Sequence, residues 1–278
     1  MKAGKSSTKG AGDLSAAVMN ALTAHIAVLD DEGQIVAVND AWLRFADANG
    51  GVAARTGVGV SYLQVCGVPE ESNGTREIAE GISAVLSGAR DNFTAEYPCN
   101  SPEEERWFLL YATPLPHGGA VVSHVNITER KRFEEELARR VRQAALGADV
   151  GGALAEGGVS LREALQRCCE AVVRHLDAAF ARIWTLERGA DVLELQASAG
   201  MYTHLDGAHG RVPVGKFKIG LIAAERRPHL TNSVAGDPRV GDQEWARREG
   251  MVAFAGYPLL VEGRLVGVLS MFARAPLP

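Results

Sequence analysis

His204, His209, Arg211 and His229 crowd into one glycine-rich stretch of this 278-residue chain, and imidazoles beside a guanidinium can recognise an anionic or polar ligand. Zinc fits the cluster poorly. It needs three or four ligands converging at about 2 Å, and His204-x4-His209, without cysteine or carboxylate partners on one helix, is an atypical spacing. A structured loop without a ligand is the plainer alternative. His124 stands apart, in "GGAVVSHVNI". Side chains alternate along a strand, so Val122, His124 and Asn126 share a face, and Phe108, Leu110 and Ala112 of a neighbouring strand would line the same cavity. A histidine there could hydrogen-bond a ligand, coordinate haem iron, or sit in the core bonded to backbone.

Other reactive groups offer less. The four cysteines, Cys66, Cys99, Cys168 and Cys169, form no CxxC pair, which suits reduced thiols; Cys66 is expected to be a small buried hydrophobe. No GxSxG elbow, Walker A loop, HExxH or kinase signature occurs, and "GVGVSY" lacks the Lys-Ser/Thr of a phosphate loop. No enzymatic activity is expected.

The elements that must position these residues fall into two groups. "HIAVLD" and "QIVAVN" read as strands around an Asp31-Glu32-Gly33 turn, and Asn39 can cap a helix over "DAWLRFADAN". A helix from about Thr75 to Leu86 places Ile78, Ile82 and Val85 on one side. Strands "NFTAEYPC", "RWFLLYATPL" and "GGAVVSHVNI" follow. Clustered strands favour an antiparallel sheet flanked by helices, an α+β fold. The second group opens with a capping-box spacing, Ser160 to Glu163, on a helix carrying Leu165, Cys168 and Val172. After it come strands "FARIWTLER" and "VLELQASAG", two short helices, and a hairpin turning at Glu262-Gly263.

Between the groups, "TERKRFEEELARRVRQAAL" is charged and rich in helix formers, with a narrow stripe of Phe133, Leu137 and Val141. Such a stripe suits one partner helix, so these residues are expected to form the seam of a homodimer. Gly147, Gly151 and Gly152 are expected to weaken that helix. The expected boundaries are a flexible tail over 1–12, a first domain over 13–128, a helical linker over 129–159 and a second domain over 160–278.

A net charge of −5 offers no broad footprint for nucleic acid. No run approaches the roughly 18 apolar residues that span a bilayer, and "MKAGKSSTKGAGD" lacks the apolar core of a secretory signal. A cytoplasmic protein without membrane or nucleic-acid partners is expected.

The first domain resembles the PAS sensory family through "IAVLDDEGQIVAVNDAW", "RWFLLYATPL" and "HVNITERK". The family commonly closes on Asp-Ile-Thr; here it is Asn126-Ile127-Thr128, which keeps hydrogen bonding and loses the charge. His124 falls where flavin-binding relatives place a ligand-facing glutamine, whereas Val60 stands where light-sensing relatives carry their reactive cysteine. The second domain resembles the GAF family of bacterial sensor kinases through "HGRVPVGKFKIGLIAAERRPHLTN", "DPRVGDQEWARREGMVAFAGYPL" and "GRLVGVLSMFAR". The resemblance implies a six-stranded antiparallel sheet with a cup for a small molecule. It also implies a sensory part, without the helix that usually follows the last GAF strand, relaying ligand binding to an output kinase or cyclase domain. A ligand-free dimerisation scaffold and a haem-based gas sensor are the alternatives, and the cofactor, if any, is unknown.

Overall fold

The structure, a computed structural model, describes residues 7–49, 57–63, 73–101, 104–187 and 189–277. They fall into two compact units, Met1–Glu135 and Glu136–Pro278.

The first unit opens with α1 (Ser7–Ala21), then β1 (His25–Leu29), β2 (Ile35–Val38), α2 (Asp40–Ala48) and α3 (Asn73–Leu86). β3 (Phe93–Pro98), β4 (Trp107–Pro114) and β5 (Ala120–Asn126) complete a five-stranded antiparallel sheet of order β2-β1-β5-β4-β3. Alternation delivers Ala27, Leu29, Leu110, Ala112, Ala120 and Val122 to one face, where they pack with Ile78, Ile82 and Val85 of α3. Gly81 is required in that helix because a Cβ there would overlap the Phe93 ring. Asn39 caps α2 as its sequence position suggests, accepting from Trp42 N at 3.0 Å. It also accepts from Ile26 N at 3.0 Å and donates to Ala24 O at 2.8 Å, so one buried amide ties β1 to the turn before α2.

Helix α1 includes Ser7 to Asp13, which reaches into the expected tail, and runs through Gly10 and Gly12. Its Leu14 and Val18 are exposed, as is Leu22 just past its end. At the other end, Asn126 Oδ1 accepts from Thr128 N at 2.9 Å and Thr128 Oγ1 accepts from Trp107 N at 3.0 Å. The Asn-Ile-Thr run thus starts α4 (Thr128–Ala155) with neutral hydrogen bonds, and Glu96 of β3 receives Arg130 and Lys131 from its first turn. Cys66 lies outside the described residues.

α4 departs from expectation: it runs for 28 residues, straight through Gly147, Gly151 and Gly152. Tertiary packing outweighs the low propensity of those glycines. Leu146, Val150 and Ala153 recur on one face and pack against α5 (Leu161–Leu176), so the helix end belongs to the second unit's core. By contacts the two compact units meet within the expected linker, at Glu135/Glu136.

In the second unit Ser160 caps α5, accepting from Glu163 N at 3.2 Å. The elements that follow are β6 (Phe180–Leu186), β7 (Val192–Gly200), β8 (Arg211–Pro213), α6 (Phe217–Glu225), β9 (His229–Thr231), α7 (Gln243–Arg248), β10 (Ala253–Val261) and β11 (Arg264–Ala273). They build a six-stranded antiparallel sheet of order β8-β7-β6-β11-β10-β9. One face packs on α5 through Ala181, Ile183, Ala197, Ala255 and Met271, with Cys168 and Cys169 buried beneath it. The other face carries Phe180, Trp184, Leu195, Phe254 and Val268 towards α6 and α7. Gly200 has φ of +94° and lies where a Cβ would strike the Ala179 carbonyl, so both conformation and space demand glycine.

Candidate functional site

Strand β6 sets the site. Its alternating side chains Phe180, Arg182 and Trp184 point away from α5, and the β11 register places Phe272, Ser270 and Val268 directly beside them. Ser198 of β7 and Gly256 of β10 extend the central row. Above this floor, α6, α7 and the segments before them enclose a cavity of about 250 Å³. Its walls are aromatic: Phe180, Trp184, Tyr202, Trp245, Phe254 and Phe272. Their indole groups are anchored, Trp184 Nε1 donating to His209 O at 2.8 Å and Trp245 Nε1 to Tyr202 Oη at 2.9 Å.

Three cations reach this cavity: Arg182, Lys218 and Arg239. Lys218 and Asp237 are both about 5% exposed and form an ion pair, and Arg239 Nε meets the same carboxylate at 2.9 Å. Hydrogen bonds from Arg239 and Lys218 hold the Asp237 carboxyl well below the usual carboxylate range. Burial pulls the Lys218 ammonium below the usual lysine range. Both groups are shifted down, and the two cations that share the carboxylate keep it ionised.

Arg182 is arranged differently. Its Nε donates to Ser198 Oγ at 3.1 Å, and its guanidinium lies 5.5 Å from the Phe180 ring centre and 5.6 Å from that of Tyr202. No carboxylate pairs with it among the described residues. Burial draws its proton affinity down, with Tyr202 the opposing influence.

Of the four residues singled out in the glycine-rich stretch, His204 and His209 line the cavity at its exposed mouth. Loss of water and the Arg182 charge hold His209 below the usual histidine range. Arg211 and His229 do not line it. In β8 only Val212 turns inward, leaving Arg211 outside, paired with Glu187 at 2.6 Å. His229 is buried at the sheet edge, its Nε2 2.8 Å from Glu225. Sequence reasoning missed Arg182, Lys218 and Ser270. The available signal was the alternation in "FARIWTLER", which puts an arginine between two inward aromatic residues.

In the first unit, Phe108, Leu110 and His124 are buried on one face of the sheet, with Leu110 opposite His124 in register. The partners of the histidine are not backbone. Nε2 lies 2.7 Å from Tyr62 Oη and Nδ1 2.6 Å from Tyr97 Oη, with the Trp42 ring at 5.7 Å. Burial, then the charge of His25 across the β1–β5 pair, pushes its pKa down to about 3. The ring is therefore neutral, one nitrogen donating and the other accepting, and in this arrangement neither is directed at a ligand. Among the described residues no three His, Cys, Asp or Glu side chains gather as a metal site.

Two α+β domains in series, the second walled around a cavity, define a class of paired sensory modules. Residues 19–132 match the family described as the PAS fold and residues 158–277 match the GAF domain, so the chain is a tandem PAS–GAF protein. Such domains are sensory and regulatory modules of signalling proteins.

Over 118 residues the chain is 48% identical to an uncharacterized 104.1 kDa protein in the hypE 3′ region of Rhodobacter capsulatus, a match taking in 40% of the chain and 12% of that relative's length. Solved structures similar to it include the GAF domain of nlh2 from A. aeolicus in an inactive state (TM-score 0.41, 17% identity, 48% of this chain and 80% of that one). Another is the GAF domain of a phosphoenolpyruvate-protein phosphotransferase from Coxiella burnetii (0.42, 18%, 49% and 80%). A third is free methionine-R-sulfoxide reductase from Neisseria meningitidis in complex with its substrate (0.41, 16%, 50% and 76%). No helix among the described residues is long and apolar enough to cross a membrane.

Proposed function

We propose that the chain is a cytoplasmic sensory portion of a signalling protein, in which the GAF cavity binds a small molecule. Binding there shifts a preference between two helix arrangements and biases an output domain, a kinase or cyclase, in the parent protein. The observation that carries this reading is the aromatic-walled cavity of about 250 Å³ over the centre of the sheet. The role proposed is reception rather than catalysis. The two cysteines of the GAF unit, Cys168 and Cys169, are buried on the α5 side of the sheet, away from the cavity. Native mass spectrometry of the freshly purified chain, before and after a small-molecule screen, tests the reading. A retained or added mass lost with Trp184→Ala supports it; none after a full screen turns the module into a scaffold.

Assembly in this scheme falls to α4, which runs across the boundary between the two units. Phe133, Leu137 and Val141 are 73%, 63% and 59% exposed on α4, an apolar stripe that a second copy would cover. Leu137→Asp is expected to weaken dimerisation tenfold or more, roughly 1.4 kcal/mol. Light scattering across a dilution series checks it, and an unchanged mass throughout would remove this stripe from the interface.

A further inference from the structure

We infer that the GAF cavity is built for a small monocarboxylate with a flat apolar body, its carboxylate seated between Arg182 and Ser270. This rests on the proposal that the cavity is a ligand pocket, and it specifies the chemistry of the occupant.

Two independent observations meet at that spot. The Arg182 residue is 8% exposed, and of its five N–H donors the hydrogen bond to Ser198 Oγ occupies one. Its remaining donors face the cavity rather than a carboxylate, and a bound anion would pair with them directly. Ser270 stands directly opposite in the β6–β11 register, 1% exposed, and its Oγ has no hydrogen-bond partner. A buried hydroxyl without a partner is rare, and this one belongs to a residue lining the same cavity as Arg182.

The neighbouring charges narrow the class. Lys218 and Arg239 are both engaged by Asp237, and the Asp242 carboxylate caps α7 through Trp245 N at 2.8 Å. Among the described cations of the cavity, Arg182 is thus the one without a carboxylate, and the buried hydroxyl beside it is unpartnered, while the imidazoles of His204 and His209 stay at the mouth. A planar two-oxygen anion of single charge fits this pair: one oxygen for the fork of Arg182, the other for the Ser270 hydroxyl. A phosphate dianion asks for a second free cation, which the other two side chains do not provide. An inorganic oxyanion answers the charge and leaves the aromatic volume unfilled. An unsaturated or aromatic body packs against the rings of Phe254, Phe272 and Trp245 and fills it.

The test uses the full chain with benzoate, phenylacetate and indole-3-acetate, each beside its neutral amide. Calorimetry measures affinity, and the fluorescence of Trp184 and Trp245 reports occupancy. At least one acid is expected to bind about tenfold or more tightly than its amide, the worth of a charge-assisted pair. Arg182→Met should abolish that preference, weakening the acid far more than the amide. Ser270→Ala should weaken the acid severalfold. If Arg182→Met does not fold, Ser270→Ala and Arg182→Lys carry the comparison, the lysine losing the two-pronged contact. Acid and amide binding alike would overturn the carboxylate assignment while the ligand-pocket reading stands. No binding by any of the six at millimolar concentration, with unchanged fluorescence, would overturn both.

Discussion

Asp237→Ala is expected to cost the second unit about 3–5 kcal/mol of unfolding free energy, because it strands the buried Lys218 ammonium without its anion. The carboxylate holds two cations at once, and the Phe254 ring, 4.4 Å from Lys218 Nζ, cannot replace it. Urea titration followed by circular dichroism measures the loss. The double variant Lys218→Met/Asp237→Leu should recover most of it, since a well-packed apolar pair avoids the desolvation altogether. If the single variant loses less than about 1 kcal/mol, well below the cost of breaking a buried pair, the pair is solvated and the cavity wall is softer than described. The sign with pH follows from the depressed carboxyl. Its folded value lies below the unfolded one, near 3.9, so the contribution is complete above about pH 4 and declines as acid carries the pH through the folded value.

Acid also acts on the first unit, in a different window. His124 titrates at about 3 when folded, against about 6.5 in the unfolded chain, so between those values the unfolded state binds the extra proton. Each unit of acidification below pH 6.5 then removes about 1.4 kcal/mol, reaching ~4–5 kcal/mol near pH 3, and nothing is lost above pH 6.5. Exposed pairs such as Glu96 with Arg130 and Lys131 add a smaller loss at lower pH, so the variant comparison isolates the histidine. Gln offers an acceptor to one tyrosine and donors to the other without titrating. His124→Gln should therefore flatten the acid limb between pH 6 and 4 by close to one proton, at a cost of about 1–2 kcal/mol at pH 7. Equal slopes in the two proteins would show that His124 is not held neutral by its surroundings.

How much of this could be read beforehand depended on distance along the chain. Asn39 and Ser160 announced their helices because a cap and its first turn are neighbours in sequence. The strands of both sheets were legible from alternation and turn residues. The passage of α4 through three glycines was not, since it depends on Leu146 and Val150 meeting α5, a contact that no local propensity encodes. The tyrosines that hold His124 were hidden for the same reason: Tyr62 and Tyr97 lie 62 and 27 residues away. The cavity floor was harder still. Arg182 and Ser270 become neighbours through a pairing of strands at opposite ends of the domain, and each alone reads as an ordinary strand residue.

That pairing has a consequence for synthesis. In both sheets the strand made last sits in the middle: β5 between β1 and β4, β11 between β6 and β10. As the chain leaves the ribosome, β1 and β4 of the first domain, or β6 and β10 of the second, wait with open edges until the final strand slots between them. Neither sheet can be finished piecemeal, and Ser270 and Phe272 of the cavity floor arrive with that closing strand. The cavity floor is therefore completed in one step, when the last strand is in place.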